Sequence, residues 1–434
     1  MNTLGRKTPF ILLVGDIVIC VVALWLTLLI RYQVIPDPEL FFSHLVPFLT
    51  LFLLWVLSYF IAGLYERSTA ILRASTYQTL LYAQLANAAL AVGFFYFYPT
   101  SIAPKTNLLL YFIVSTLLIF GWRAFVYRFV IREKREESIV IGSGVELKEL
   151  KEVGYTQVFD LDAPSNNLEK DVKSIVSKGA SMIVIDLSHP KVQGLLPELY
   201  NLLLSKIRFI DIHQVYESVF NRVALTLVTH SWFLENISAS PKHVYDIIKR
   251  VMDFTFAGIG SLVSLVVYPF VYIAIKLDDK GPVFVVQERI GKDNKVIKLL
   301  KFRSMRASDK GVWVKEGDDR ITRVGKFIRK TRIDELPQLF SVVKGDMSLV
   351  GPRPDIYDLG VKLSEEIPYY TLRTIIKPGL SGWAQIRQEL PPQSLEETKV
   401  RLAYDFYYIK HRSLFLDIKI ALQTIATLLS RSGK

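Results

Sequence analysis

Four apolar stretches fill the first third of the chain, at about 10–30, 45–64, 80–98 and 108–130. Each is long enough to cross the hydrocarbon of a bilayer as a helix. Nothing else in the sequence constrains the fold as tightly, because in lipid each backbone amide and carbonyl must find its partner within the segment. The flanking bases give an orientation. Arg6 and Lys7, then Arg67 and Arg73, then Arg132, Lys134 and Arg135 fall on one side, against little beyond Arg31 and Lys105 on the other. The positive-inside rule then puts both ends of this unit in the cytoplasm. Arg123 and Arg128, near the end of the fourth stretch, are expected to snorkel. Asp16 is expected about a turn inside the cytoplasmic edge, near Arg6 and Lys7.

Composition agrees. The 434 residues are 51% hydrophobic, with 53 basic against 41 acidic side chains and a net charge of +12, and the mean hydropathy is +0.29. Apolar and basic together point to a membrane protein whose polar parts face anionic lipid or phosphorylated substrates. No zinc pattern, helix-turn-helix signal or aromatic RNP-type strand accompanies the bases, so no nucleic-acid partner is expected. The single cysteine, Cys20, cannot form an intrachain disulfide. The first apolar stretch follows two bases as a signal peptide would, but no small-residue cleavage site follows, and the segment is expected to be retained.

Beyond a charged stretch at 132–137 the pattern becomes that of a small α/β domain, with strands at 138–141, 181–185 and 207–212 and a helix at 145–153. The turn Gly142-Ser-Gly144 resembles the start of a dinucleotide site, but the third glycine of that fingerprint is replaced by Leu147. A structural or regulatory domain is therefore favoured over a working NAD site. A fifth apolar stretch, 254–275, contains Pro269 and carries bases on both flanks: Lys249 and Arg250 with Asp253 before it, Lys276 and Lys280 with Asp278 and Asp279 after it. Proline deep in a helix removes a hydrogen bond and kinks the chain. Equal flanks give no direction to cross, so residues 250–276 are read as a helix that enters the cytoplasmic leaflet, breaks at Pro269 and returns.

The chemistry-bearing stretch follows. A strand and turn at 281–291 and a basic strand from Lys298 through Lys301 and Arg303 to Met305 precede Asp318-Asp319-Arg320 and a helix presenting Arg323, Lys326 and Arg329. Then come Arg332-Ile-Asp334-Glu335-Leu-Pro337-Gln338 and Gly351-Pro352-Arg353-Pro354. Proline is tolerated in the first turn of a helix, so Pro337 sets a helix start near Asp334. Both carboxylates then stand among unpaired amides at a positive helix end, a ready phosphate site. One acid is placed to attack phosphorus and the other to hold Mg2+. Two prolines leave Arg353 little conformational entropy to lose on gripping a phosphate.

The ordered motifs Gly281-Pro-Val-Phe, Lys301-Phe-Arg-Ser-Met, Arg332-Ile-Asp-Glu-Leu-Pro-Gln-Leu, Lys344-Gly-Asp-Met-Ser-Leu-Val-Gly-Pro-Arg-Pro and Lys377-Pro-Gly-Leu-Ser-Gly-Trp-Ala-Gln closely resemble the monotopic phosphoglycosyl transferases. The resemblance covers about 241–434, and the preceding spans and truncated α/β domain look like the large-subfamily architecture. It implies transfer of a sugar-1-phosphate from a UDP-sugar to undecaprenyl phosphate with release of UMP, at the bacterial inner membrane with the catalytic domain facing the cytoplasm. This would be the first membrane step of exopolysaccharide, O-antigen or capsule assembly. Asp334 would be the nucleophile of a covalent phosphosugar intermediate, and Glu335, with Asp334, would hold Mg2+. Arg353, flanked by Pro352 and Pro354, would grip phosphate, supported by Arg332, Lys301, Arg303 and Gln338. The chain departs from the pattern at Tyr268, where small members often carry serine before the proline, and at Ser341, where asparagine is common.

The expected architecture is thus a four-span helical bundle (1–135), a truncated Rossmann-like α/β domain (136–235) and an α+β monotopic catalytic domain (241–434) with a re-entrant helix hairpin. A homodimer embedded in inner-membrane lipid is expected. The tail, Tyr404 to Arg412 followed by 414–429, reads as an amphipathic helix pair on the headgroup surface or as packed core helices, with His411 structural. Two other classes compete: a sugar-nucleotide epimerase or dehydratase built on Gly142, which would need a complete glycine turn, and a scaffold of a polysaccharide export complex with a vestigial acid pair.

Overall fold

The apolar stretches fold as four long helices: α1 (Thr3–Tyr32), α2 (Pro38–Ile61), α3 (Ala74–Phe97) and α4 (Lys105–Val126). The computed structural model describes residues 3–65, 74–97, 105–128, 138–155, 157–162, 182–187, 189–194, 196–201, 207–237, 242–278, 281–306, 320–388 and 390–429. Arg67, Arg73, Arg132, Lys134 and Arg135, on which the orientation argument leans, lie outside the described residues, as do Asp279, Lys280, Asp318 and Asp319. The chain divides into two compact units, Met1–Leu227 and Val228–Lys434.

In the first unit, α1 ends at Gln33, whose φ of 57° breaks the helix. Helix α2 begins where Asp37 accepts a hydrogen bond from the Leu40 amide at 2.7 Å, with Pro38 in the first turn. All four helices are long and apolar enough to cross a membrane. Phe48, Phe52, Trp55 and Tyr111 are buried between them, while Leu53 and Leu117 remain about 70% exposed, as lipid-facing positions would be. The structure corrects the expectation for one charge. Arg123 does not snorkel: it is 5% exposed, donates to the Leu64 carbonyl at 2.7 Å and meets Asp16 at 2.5 Å. Asp16 is fully buried, and the Arg123 guanidinium from another helix matches it; the side chains of Arg6 and Lys7, near which it was expected, lie outside the described residues. Desolvating either charge alone costs several kcal/mol by rough estimate, and the pair offsets that cost.

The α/β part is a fully parallel sheet in the order β2-β1-β3-β4, built from β1 (Ser138–Gly142), β2 (Gln157–Asp160), β3 (Met182–Ile185) and β4 (Arg208–Asp211). Ile139, Val140 and Ile141 are all buried, as expected of a central parallel strand covered on both faces. Strand β2 escaped the sequence reading because its four residues Gln-Val-Phe-Asp carry only two apolar side chains. Helix α5 (Val145–Glu152) follows β1. Gly144 has φ +85°, and the Glu146 carboxylate lies over it, accepting from the Thr226 amide at 3.1 Å and from the Thr226 hydroxyl. A buried carboxylate thus lies against the turn at which a dinucleotide fold presents free amides to a pyrophosphate.

In the second unit, α6 (His243–Leu265) and α7 (Tyr268–Asp278) meet at a 54° bend. The bend itself falls at Val266 and Val267, and Pro269 sits in the first turn of α7, where its missing N–H costs nothing. Phe254, Ile259, Leu262 and Phe270 are more than half exposed, leaving the pair with an apolar outer surface. Its polar end is pinned to the rest of the unit. Arg250 donates to the Val342 and Val343 carbonyls at 2.8 and 2.7 Å, Asp253 accepts from the Leu349 amide at 3.0 Å, and Lys249 pairs with Asp417 at 2.8 Å. At the far end, Asp278 accepts from the Val324 amide at 2.9 Å and so helps start α8 (Arg323–Lys330). The strands β5 (Phe284–Ile290) and β6 (Val296–Phe302) form an antiparallel hairpin. The tail resolves into two kinds of helix: α9 (Leu395–His411) buries Leu402, Phe406, Tyr408 and Ile409, while α10 (Leu414–Leu429) leaves Phe415 and Ile425 more than half exposed.

Candidate active site

Helix α8 stops at Thr331, and Arg332 turns the chain with φ 58°, a left-handed conformation unfavourable for a side chain of its size. The next residues, Ile333–Gln338, form a 3-10 helix carrying Asp334 and Glu335 in its first turn, and a short α-helix, Leu339–Lys344, continues it. The helix start therefore lies where Pro337 placed it, but as a 3-10 turn, which spreads adjacent side chains by about 120°.

That spread gives the two acids different surroundings. Glu335 Oε1 accepts from Arg353 Nη2 at 2.6 Å and lies 3.5 Å from Arg332 Nη1. Burial opposes its charge, but Arg353, Arg332 and Arg289 outweigh it and hold Glu335 down at about 2. Asp334 is 9% exposed, and its Oδ1 is buried without a hydrogen-bond partner among the described residues. Burial and the neighbouring Glu335 charge push it up to about 6, against the pull of Arg329, Arg332 and Lys301. An ionisable oxygen left without a protein partner beside a fixed anion is unusual outside functional sites.

The arm that brings Arg353 here is held by two short parallel strands, β7 (Ser348–Val350) and β8 (Gly379–Ser381). Three glycines make their approach possible. A Cβ on Gly379 would fall 2.0 Å from the Gly351 nitrogen, one on Gly351 would fall 2.6 Å from the Lys377 carbonyl oxygen, and one on Gly382 would fall 2.6 Å from the Gly351 oxygen. A small cleft beside the acids is lined by Gln287, Arg289, Lys301, Gln338, Arg353 and Pro354, among others. It thus gathers four of the expected phosphate-binding residues. Pro352 lines a second cavity, of about 180 Å3, behind the same arm. The guanidinium of Arg303 instead lies over Gly281. Arg289, Asp355, Arg373, Arg401 and Asp405 were not singled out in the sequence, although Asp355 directly follows the Pro-Arg-Pro element.

For a divalent cation the candidate donors would be Asp334 and Glu335; among the described residues no group of three or more ligating side chains occurs. Two carboxylates suit an ion of the magnesium type, which keeps several waters and takes substrate phosphates as ligands. The unpartnered Asp334 Oδ1 and the Glu335 oxygen not taken by Arg353 would be its protein ligands.

The bacterial sugar transferase family model matches residues 244–431, the stretch that holds every one of these groups. Over 194 residues, 44% of this chain and 73% of the relative, the chain is 39% identical to a UDP-glucose:undecaprenyl-phosphate glucose-1-phosphate transferase of Caulobacter vibrioides. The chain belongs to the bacterial sugar transferase family. It is also 48% identical over 147 residues (33% of this chain, 80% of the relative) to a putative undecaprenyl-phosphate N-acetylgalactosaminyl 1-phosphate transferase of Bacillus subtilis. A UDP-N-acetylgalactosamine-undecaprenyl-phosphate N-acetylgalactosaminephosphotransferase of Aeromonas hydrophila is 41% identical over 233 residues, and the match spans only about half of each chain (53% of this one, 54% of the relative).

Proposed function

We propose that this sugar transferase moves a hexose-1-phosphate from a UDP-sugar to undecaprenyl phosphate, releasing UMP, as the initiating step of a surface polysaccharide. The names carried by its relatives support the donor and acceptor classes. The observation that carries the chemistry is the unequal acid pair: Glu335 locked by Arg353, Asp334 buried with a free oxygen. The Asp334 carboxylate attacks the donor's sugar-bearing phosphorus, the phosphoanhydride bond to the uridine-bearing phosphate breaks, and UMP leaves with that electron pair. The sugar phosphate is left as an acyl phosphate on Asp334. An oxygen of undecaprenyl phosphate then attacks the same phosphorus and expels the carboxylate, which regenerates the enzyme and closes the new diphosphate. One phosphoanhydride replaces another, so the main task of the site is to bring mutually repelling anions together, and Arg353, Arg332, Arg289 and Lys301 supply the charge for it. Magnesium, held by Asp334 and Glu335, would neutralise phosphate charge.

Four apolar helices and the bent pair α6–α7 support insertion in the inner membrane, and the catalytic unit works on the cytoplasmic side, where nucleotide sugars are made. The test is direct. A panel of UDP-hexoses and UDP-N-acetylhexosamines is given to the full chain without acceptor, and one UMP per enzyme should appear together with a hexose-phosphate mass on the peptide containing Asp334. UMP that forms only when acceptor is present, with no adduct, would refute the covalent route, and no UMP with any donor and acceptor would refute the activity.

A further inference from the structure

Every carbonyl of the arm 352–355 has a donor. Pro352 O accepts from the Gly379 amide at 2.9 Å and Asp355 O from the Ile290 amide at 3.0 Å. Pro354 O accepts from Arg289 Nη1 at 2.8 Å, and Arg353 O from both Arg373 Nη2 and Arg401 Nη2 at 2.8 Å. Arg373 is 4% exposed, and its remaining donors are all engaged: Nε and Nη2 with Asp405 Oδ2 at 3.0 and 2.7 Å, and Nη1 with Asp355 Oδ2 and with the Tyr370 hydroxyl at 3.2 Å. Arg401 reaches Asp355 Oδ1 at 3.2 Å. A buried guanidinium and a half-buried one thus lie beside two carboxylates, and besides Asp355 they share the backbone oxygen of the residue whose side chain holds Glu335.

We propose that Arg373, oriented by Asp355 and Asp405 and assisted by Arg401, is a positioning residue that fixes the Arg353 backbone so that its guanidinium meets Glu335 and the donor phosphate. The inference rests on the reading given under Proposed function. Two prolines restrict φ along the arm but not the tilt of the Arg353 peptide, and charge-assisted bonds to its carbonyl fix that tilt. Lysine keeps the charge yet cannot reach Asp405, Asp355 and the carbonyl together.

The test is a double-mutant cycle on the full chain in lipid nanodiscs, with UDP-glucose and UDP-N-acetylgalactosamine as donors and undecaprenyl phosphate as acceptor. Arg373→Lys should slow single-turnover UMP release by about tenfold to a hundredfold. In an Arg353→Lys background the same change should cost no more than about twofold, because the group it places is gone. An equal loss in both backgrounds would overturn the proposal, since a residue that merely stabilises the fold acts in either. Should Arg373→Lys fail to fold, Arg401→Lys and Asp405→Asn run through the same cycle with the same expectation. Failure of the functional reading itself shows differently, as an unaltered chain that releases no UMP.

Discussion

Arg353 donates to Glu335 at 2.6 Å, while the adjacent Asp334 keeps a buried oxygen without a hydrogen-bond partner among the described residues. One backbone step separates the two acids, yet burial and charge push them in opposite directions, to about 2 and about 6. Under the proposed mechanism the raised acid is the nucleophile and its permanently charged neighbour serves the phosphates, so a single acid pair divides two tasks.

The first consequence is a pH dependence. On the proposed mechanism attack requires ionised Asp334, so kcat/KM for the donor should rise about tenfold per pH unit below about 6 and level off above it. Glu335, ionised down to about 2, adds no second limb between pH 4 and 8. A stopped UMP-release assay across that range reads this out, and a flat profile would remove Asp334 from the role.

Stability should move the other way. The folded pKa of Asp334 lies above its ordinary value of 3.8, so the native state holds this proton more tightly than the unfolded chain does. The stabilising contribution is complete below 3.8 and is lost as pH rises through 6, at an order-of-magnitude cost of about 3 kcal/mol once the group is ionised. Asp334→Asn should therefore be inactive but about 1–3 kcal/mol more stable at pH 8, with the advantage gone below pH 4. Thermal unfolding in detergent at both pH values checks this.

Arg332 offers a separation of backbone from charge. Its positive φ costs roughly 1 kcal/mol for any residue with a Cβ. Arg332→Gly should unfold at a higher temperature than Arg332→Ala, while both lose the same activity because both remove the cation facing Glu335. Equal melting temperatures would mean the turn relaxes in the variants.

Gly379→Ala tests the approach of the two loops. Its methyl would need space already taken by the Gly351 nitrogen 2.0 Å away, so β7 and β8 must part and carry Arg353 with them. Activity should fall at least a hundredfold by rough estimate. An active Gly379→Ala enzyme would show that the arm tolerates the displacement.

In the bundle, Asp16→Asn should destabilise by about 3–5 kcal/mol because it leaves Arg123 buried without its countercharge, whereas replacing Asp16 and Arg123 together by leucine should restore most of that loss. Unfolding in a denaturant series distinguishes the two.

Much of this was legible in the chain itself. Hydropathy alone marks the four spans, because a segment in lipid must satisfy its own backbone and only a long apolar helix does so. Local chemistry also marks the helix start at Asp334, since Pro337 permits few other backbones there. What sequence could not supply is which charges meet. Arg123 finds Asp16 across 107 positions, and Arg373 finds Asp405 across 32. Spacing of that kind has no period, so only the packing of separate elements reveals it. The same limit separates the two acids of the active site: the sequence sets them side by side, but their unequal charge is decided by a guanidinium delivered from residue 353 on another loop. Electrostatic energy depends on distance and burial, and both are properties of the folded chain.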